Sequence, residues 1–241
     1  MIKLPIFLKP KKEYNLIRLG KNNDGGYLVS ENSIKNSNKL ISMGIKNDWS
    51  FERDFCKKNK NIKIYLYDNT LNFIFLIKRL LIEIIKLFLP NKVKEFKQSI
   101  LNLFDYFLFS KKKLTRININ NDNIKEIVNH FDKKIFCKID IEGSEYEILD
   151  QLLMKKQYIQ GLVIEFHNFF ENIYTIKKFI NDLELDLTHI HVNNYKPNGI
   201  LDIIELTFER NPEVIGDKCI LPNALDMPND PRNKDVEIIF Y

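Results

Sequence analysis

The residues best suited to chemistry are acids and a histidine placed where neighbouring strands should end. Lys138 to Leu149 reads KIDIEGSEYEIL and follows the apolar run Ile135-Phe136-Cys137. That alternation puts Asp140 and Glu142 at the C-terminal lip of a strand. Gly143 permits a tight turn or the close approach of a ligand. Ser144 and Glu145 suit the first turn of a helix whose apolar face is Ile148, Leu149, Leu152 and Leu153. The next strand, Gly161 to Phe166, carries Glu165, with His167 and Asn168 just beyond. Carboxylates ending adjacent strands converge on one point above the sheet, and in open α/β sheets ligands collect at those carboxyl ends. An imidazole beside them suits proton transfer near neutral pH. His167 is two residues past Glu165, on the same side of an extended chain. Capping and pairing with Lys138 are the plainer uses of the two acids.

The elements that position these groups fit a single domain spanning residues 1–241. A chain of 241 residues, 44% hydrophobic and 29% charged, can bury a substantial core. The net charge of +5 comes from basic residues spread along the chain, the densest run being Lys111-Lys112-Lys113. No aromatic-interleaved basic cluster points to nucleic acid, so no nucleic-acid partner is expected. Cys56, Cys137 and Cys219 are too far apart for zinc or redox spacing, and Cys137 belongs to an apolar strand. Met1 to Leu8 is apolar but short, carries Lys3 and lacks a small-residue cleavage site. A cytoplasmic setting is therefore expected.

Residues 1 to 15 read as an irregular lead-in. Arg18 and Gly20 precede a polar turn closed by Asp24-Gly25-Gly26, and Tyr27-Leu28-Val29 follows as a strand. The Asp-Gly pair predicts a hairpin. It could equally be a glycine-lined lip, with Arg18 near a carboxylate or phosphate. Lys39 to Met43 forms a strand ending at Gly44, and Trp49, Phe51 and Phe55 mark a helix capped by Asn47 or Asp48. The second strand, Ile62 to Tyr67, ends in Asp68, placed either to accept ribose hydroxyls or to cap a helix. The fingerprint G-x-G-x-x-G is missing, which disfavours a nicotinamide-dependent nucleotide-sugar enzyme.

Leu71 to Leu89 is the most hydrophobic segment, interrupted by Lys78, Arg79, Glu83 and Lys86, and so is not a membrane span. Its pattern predicts a nearly buried helix, or one that covers a partner subunit or a membrane surface. A second helix, Val93 to Leu108, follows Pro90. The connection is long for a crossover, so residues 71–110 read as an inserted helical cap that could wall the substrate site or make a homo-oligomer. Leu114 to Ile119 reads as the third strand, Ile124 to Phe131 as a helix and Ile173 to Leu185 as another. Thr188 to Tyr195 and Ile203 to Phe208 form a returning hairpin, with His191 and Asn193 alternating on one face. A Pro-rich tail ends in a short strand, Val236 to Phe240.

In this order the chain resembles the FkbM-type S-adenosylmethionine-dependent methyltransferases. The matching pieces are RLGKNNDGGYLV, SMGIKNDWSFERDF, YLYDNT, KIDIEGSEYEIL, LVIEFH, HVNNY and IELTF. KIDIEGSEYEIL is the most specific. A single Gly44 stands where the family usually has a Gly-rich turn. The resemblance implies an α/β Rossmann-like class I fold, a seven-stranded, mostly parallel sheet with an antiparallel C-terminal hairpin. It implies an O-methyltransferase acting on a sugar hydroxyl, in surface glycan, capsule polysaccharide or nucleotide-sugar metabolism. S-adenosylmethionine would meet Gly44 with its methionine part and Asp68 with its ribose. Asp24-Gly25-Gly26 would close over it beside Arg18, and Asn121 and Asp122 would meet the adenine. A hydroxyl must lose its proton as it attacks, to a base or with the help of a cation. His167 is the first choice as base, with Asp140 and Glu142 beside it. In metal-dependent small-molecule O-methyltransferases the cation sits at this pair of strand ends. Asp140 and Glu165, completed by His191, would hold Mg²⁺ or a similar ion. Asn168, Asn193 and Tyr195 would contact the acceptor. A non-catalytic, methyltransferase-like subunit that docks a partner through Leu71 to Leu108 is the other alternative.

Overall fold

The computed structural model describes residues 1–46, 48–68, 73–86, 96–97, 100–101, 103–104, 114–115, 124–196 and 199–241. Its strands are β1 (Ile2–Leu4), β2 (Glu13–Tyr14), β3 (Ile17–Leu19), β4 (Tyr27–Val29), β5 (Lys39–Met43), β6 (Lys63–Tyr67) and β7 (Leu114–Thr115). They continue with β8 (Ile135–Ile139), β9 (Ile159–His167), β10 (Asp186–Val192), β11 (Ile203–Glu209), β12 (Val214–Gly216) and β13 (Ile238–Phe240). Helices cover Glu31–Asn36, Ser50–Lys58, Phe73–Lys86, Ile124–Val128, Leu149–Met154 and Ile173–Leu183.

One seven-stranded mixed sheet runs in the order β10-β11-β9-β8-β5-β6-β7. Strands β9, β8, β5, β6 and β7 are parallel to their neighbours, and β11 is antiparallel to both β9 and β10. This is the Rossmann-like order with a C-terminal antiparallel hairpin. Each residue of β5 and of β8 is buried, as expected of strands covered on both faces. Side-chain alternation divides the core in two. Ile41, Cys137, Leu162 and Ile164 face Ile148, Leu152 and Phe179, while Leu40, Phe136 and Val163 face Phe51, Phe55 and Tyr27. Burial pushes the Cys137 thiol well up, in keeping with a core residue.

Register sets the level of the functional groups. Ile139 pairs with Ile164, so Asp140 and Glu165 follow together at the next step. Glu165 pairs with Glu205, and Glu205 with His191. Across β9, β11 and β10, three ionisable residues therefore stand in one row.

Two expectations are corrected. The lead-in is not irregular. β1 lies parallel to β13 and β2 antiparallel to β12, so both ends of the chain are paired. Pairing between such remote segments has no local signature. The helix Phe73–Lys86 is not nearly buried either, because Leu81, Ile82, Ile84 and Ile85 are exposed. Most of Val93 to Leu108 and of Thr115 to Ile119 lies outside the described residues, as do Asn121 and Asp122. No helix among the described residues is long and apolar enough to cross a membrane.

Candidate active site

Asp140, Glu165 and His167 present ligand atoms that lie within 4.8 Å of one another. Asp140 Oδ1 and Glu165 Oε2 are buried with no hydrogen-bond partner among the described residues. Burial pushes the Glu165 carboxyl well up, and the nearby Asp140, Glu205 and Asp24 charges push it the same way. Burial likewise raises Asp140, against the pull of Lys138 and Lys46. Two largely buried acids held this close resist double ionisation. A cation between them, or a shared proton, relieves the repulsion.

His167 ends β9 with its ring among these acids. Its Nδ1 is 3.0 Å from Glu145 Oε1, and its Nε2 is 3.3 Å from Glu165 Oε1 and 3.6 Å from Glu142 Oε2. Glu145 is fully buried at the helix start, where Oε1 also accepts from the Ile141 and Gly143 amides. That oxygen suits an Nδ1 proton and fixes the ring, leaving Nε2 directed at Glu165 and Glu142. Tyr146 donates its hydroxyl to the His167 carbonyl at 2.7 Å, fixing the strand end as well. Sequence reasoning placed Glu145 only as a first-turn acid, for which helix starts have a general use.

The surrounding backbone is strained. Lys46, Glu142 and Asn168 have φ of 44°, 56° and 51°, each in a loop just past β5, β8 or β9. Left-handed non-glycine residues gathered at strand ends are a mark of functional loops. Lys46 and Glu142 form an ion pair that joins two of these loops.

The carboxylates open into a cavity of about 590 Å³. Asp24, Lys46, Glu142, Asn193 and Tyr195 line it, and Asn229, Asp230, Pro231 and Arg232 of the tail form its far wall. The tail is pinned to the sheet. Asn229 donates to Glu205 at 2.7 Å, and Asn194 donates to the carbonyls of Asp230, Asn233 and Lys234. Sequence reasoning missed this wall. Its one signal is Glu205, an acid amid an apolar strand.

His191 stands apart from the group formed by Asp140, Glu165 and His167. Its Nδ1 is 3.4 Å from Glu205 and its Nε2 3.0 Å from Asp235. Burial lowers its pKa, but the bonds to Asp235 and Glu205 outweigh this and hold it up at about 10. With both nitrogens engaged by Glu205 and Asp235, His191 does not join the cluster, and the histidine beside Asp140 and Glu165 is His167. Asn168 is also corrected. It is exposed and absent from the described cavity lining, and its carbonyl accepts from Asn172. Asn193 is buried, its Oδ1 taken by the Tyr195 amide at 2.9 Å.

On the expected cofactor side, Gly44 has φ +75°, and a Cβ there would lie 1.6 Å from the Asp140 carbonyl oxygen. Only glycine lets these two strand ends meet. Asp68 Oδ2 accepts from the Ile45 and Lys46 amides at 2.9 and 2.6 Å, bracing the turn after β5 rather than capping a helix. The Arg18 guanidinium lies within the field of Glu205, Asp226 and Asp235, and its hydrogen bonds among the described residues go to carbonyls. It donates to the carbonyls of Lys21 and Asn23 and closes the turn that holds Gly25 and Gly26. The hairpin itself forms as expected, with Arg18 opposite Leu28.

Comparison with known proteins follows this geometry. No curated protein matches the chain. The solved structures to which the chain shows similarity include fibrillarin of Aeropyrum pernix with natively bound S-adenosyl-L-methionine. It has a TM-score of 0.40 and 9% identity over 83% of this chain and 86% of that one. Precorrin-6y C5,15-methyltransferase of Geobacter metallireducens has a TM-score of 0.38 and 10% identity over 75% and 86%. Spermidine synthase of Thermotoga maritima has a TM-score of 0.41 and 13% identity over 88% and 64%. At such identities the assignment rests on sequence. The methyltransferase FkbM domain matches residues 5–197, most of the chain and all of the strand-end acids, and the protein belongs to that family.

Proposed function

We propose that this protein transfers the methyl group of S-adenosylmethionine to a hydroxyl of a saccharide, in the cytoplasmic making of a surface glycan or nucleotide-linked sugar. The observation that carries the reading is His167. Glu145 Oε1 meets its Nδ1 at 3.0 Å, and its Nε2 faces Glu165 at the mouth of the cavity. The acceptor oxygen attacks the methyl carbon, and the carbon–sulfur bond breaks with its electrons going to sulfur. S-adenosylhomocysteine leaves neutral. The hydroxyl proton passes to His167 Nε2. The protein's main task is to hold the two reactants in line, which for well-oriented pairs supplies roughly 7–11 kcal/mol. Asn193, Tyr195 and the tail wall offer the polar groups a polyol needs.

The orphaned oxygens of Asp140 and Glu165 fit a hard divalent cation such as Mg²⁺, with His167 alongside. Such an ion would polarise the acceptor hydroxyl. Thermal melting tests both parts. S-adenosylhomocysteine should raise the melting temperature, and Mn²⁺ should raise it separately. No shift with saturating S-adenosylhomocysteine contradicts the donor assignment. No shift with Mn²⁺ removes the cation and leaves His167 as sole base.

A further inference from the structure

Lys138 is a buried cation that the proposed transfer does not use. It lies inside β8, and its ammonium donates to the Gly44 carbonyl at 3.0 Å. Glu52 Oε1 is 4.0 Å away, and the Tyr27 ring centroid 5.6 Å. The Ser42 hydroxyl donates to that same Glu52 oxygen, while Glu52 Oε2 has no hydrogen-bond partner among the described residues. β5 and β8 pair Ser42 with Lys138, so the two polar side chains lie side by side in the sheet.

The turn after β5 is held from every side. The Gly44 amide donates to the Tyr67 carbonyl at 2.9 Å, the next two amides go to Asp68, and the Asp140 carbonyl blocks any Cβ. The Gly44 carbonyl is the remaining polar group, and Lys138 takes it. Burying an ammonium and a carboxylate together is a costly way to satisfy one carbonyl, and apolar side chains of similar volume commonly do as well or better for stability. What the pair adds is a hold on the Gly44 carbonyl itself, beyond the contacts that hold the neighbouring amides.

We infer that Lys138 is a positioning residue for the methyl donor, fixing through the Gly44 carbonyl the turn against which the methionine part of S-adenosylmethionine lies. The inference rests on the methyl-transfer reading. Stability and donor binding then separate. In Lys138→Met/Glu52→Met neither buried partner is left without the other, and the melting temperature reads what the fold loses, the pull of Lys138 on Asp140 included. The turn loses its anchor, and affinity for S-adenosylhomocysteine falls about tenfold or more. Glu52→Gln keeps the Lys138 bond and holds affinity within about threefold. Titration calorimetry with S-adenosylhomocysteine reads both, with the melting temperature measured in parallel. Should the double variant not fold, Lys138→Gln, whose amide reaches less far, takes its place. Unchanged affinity in the folded variant overturns the inference, as does an equal loss in Glu52→Gln. Wild-type protein that binds no S-adenosylhomocysteine overturns the methyl-transfer reading itself, and the inference with it.

Discussion

Glu145 Oε1 lies 3.0 Å from His167 Nδ1, and this contact decides which nitrogen of the imidazole faces the cavity. The two residues come from different elements, the helix start after β8 and the end of β9. In Glu145→Leu no acceptor is left for His167 Nδ1, so the ring loses its orientation. Turnover should fall about 10–100-fold, the usual cost of losing such a partner, with affinity for S-adenosylhomocysteine unchanged. Steady-state kinetics beside calorimetry checks this. A parallel loss of donor affinity would show that Glu145 only supports the fold.

Glu165 should act against stability. Its pKa is raised by burial first and by Asp140, Glu205 and Asp24 next. An acid raised in the folded state keeps its proton after the unfolded chain has lost it, near pH 4.3. Stability is then full below that pH and declines as pH rises toward the folded value. Glu165→Gln should therefore melt higher than wild type at pH 8, and the gap should close toward pH 4. It should also lose methyl transfer and any stabilisation by Mn²⁺. A variant less stable at pH 8 would mean that Glu165 is compensated within the protein alone.

His191 gives a second pH signature on the other side of neutrality. Its pKa stands at about 10, held up against burial by Asp235 and Glu205. A raised histidine stabilises fully below its unfolded value, near 6.5, and the benefit is lost as pH rises through about 10. Melting temperature should drop across that window, and His191→Gln should flatten the drop. Hydrogen exchange in 223–235 should rise in the variant, because Asp235 loses its anchor. Equal slopes in the two proteins would place the titration elsewhere.

Gly44→Ala tests the meeting of β5 and β8. The added Cβ would fall 1.6 Å from the Asp140 carbonyl oxygen, at a φ of +75°. Overpacking and backbone strain each cost about 1–3 kcal/mol, so the melting temperature should fall by several degrees. Chemical denaturation measures the loss. A loss below about 0.5 kcal/mol would mean that the strand ends separate easily.

Much of the frame was legible because it is written locally. The runs KLISM, IFCKI and LVIEF are buried on both faces, and their hydrophobicity announces parallel strands. The acids at 140 and 165 stand out because each ends such a run. What was not legible depends on distant partners. Glu145 looks like any first-turn acid until the fold brings it to His167. Asp68 and Arg18 have the right chemistry for ligands, and only the fold shows the backbone amides and carbonyls that each also engages. His191 alternates with Asn193 as read, but its ring nitrogens meet Glu205 and Asp235 instead of joining Asp140 and Glu165. The tail is polar and Pro-rich, and only the sheet beneath it makes it a wall.

Transfer of labelled methyl from S-adenosylmethionine to a panel of saccharides and nucleotide-linked sugars, with wild type beside His167→Ala, tests the central claim most directly. Wild type should label a saccharide hydroxyl, and His167→Ala should bind S-adenosylhomocysteine equally well while losing at least about 10²-fold in rate. Labelling by His167→Ala at the wild-type rate, or wild-type label on no saccharide at all, would contradict it.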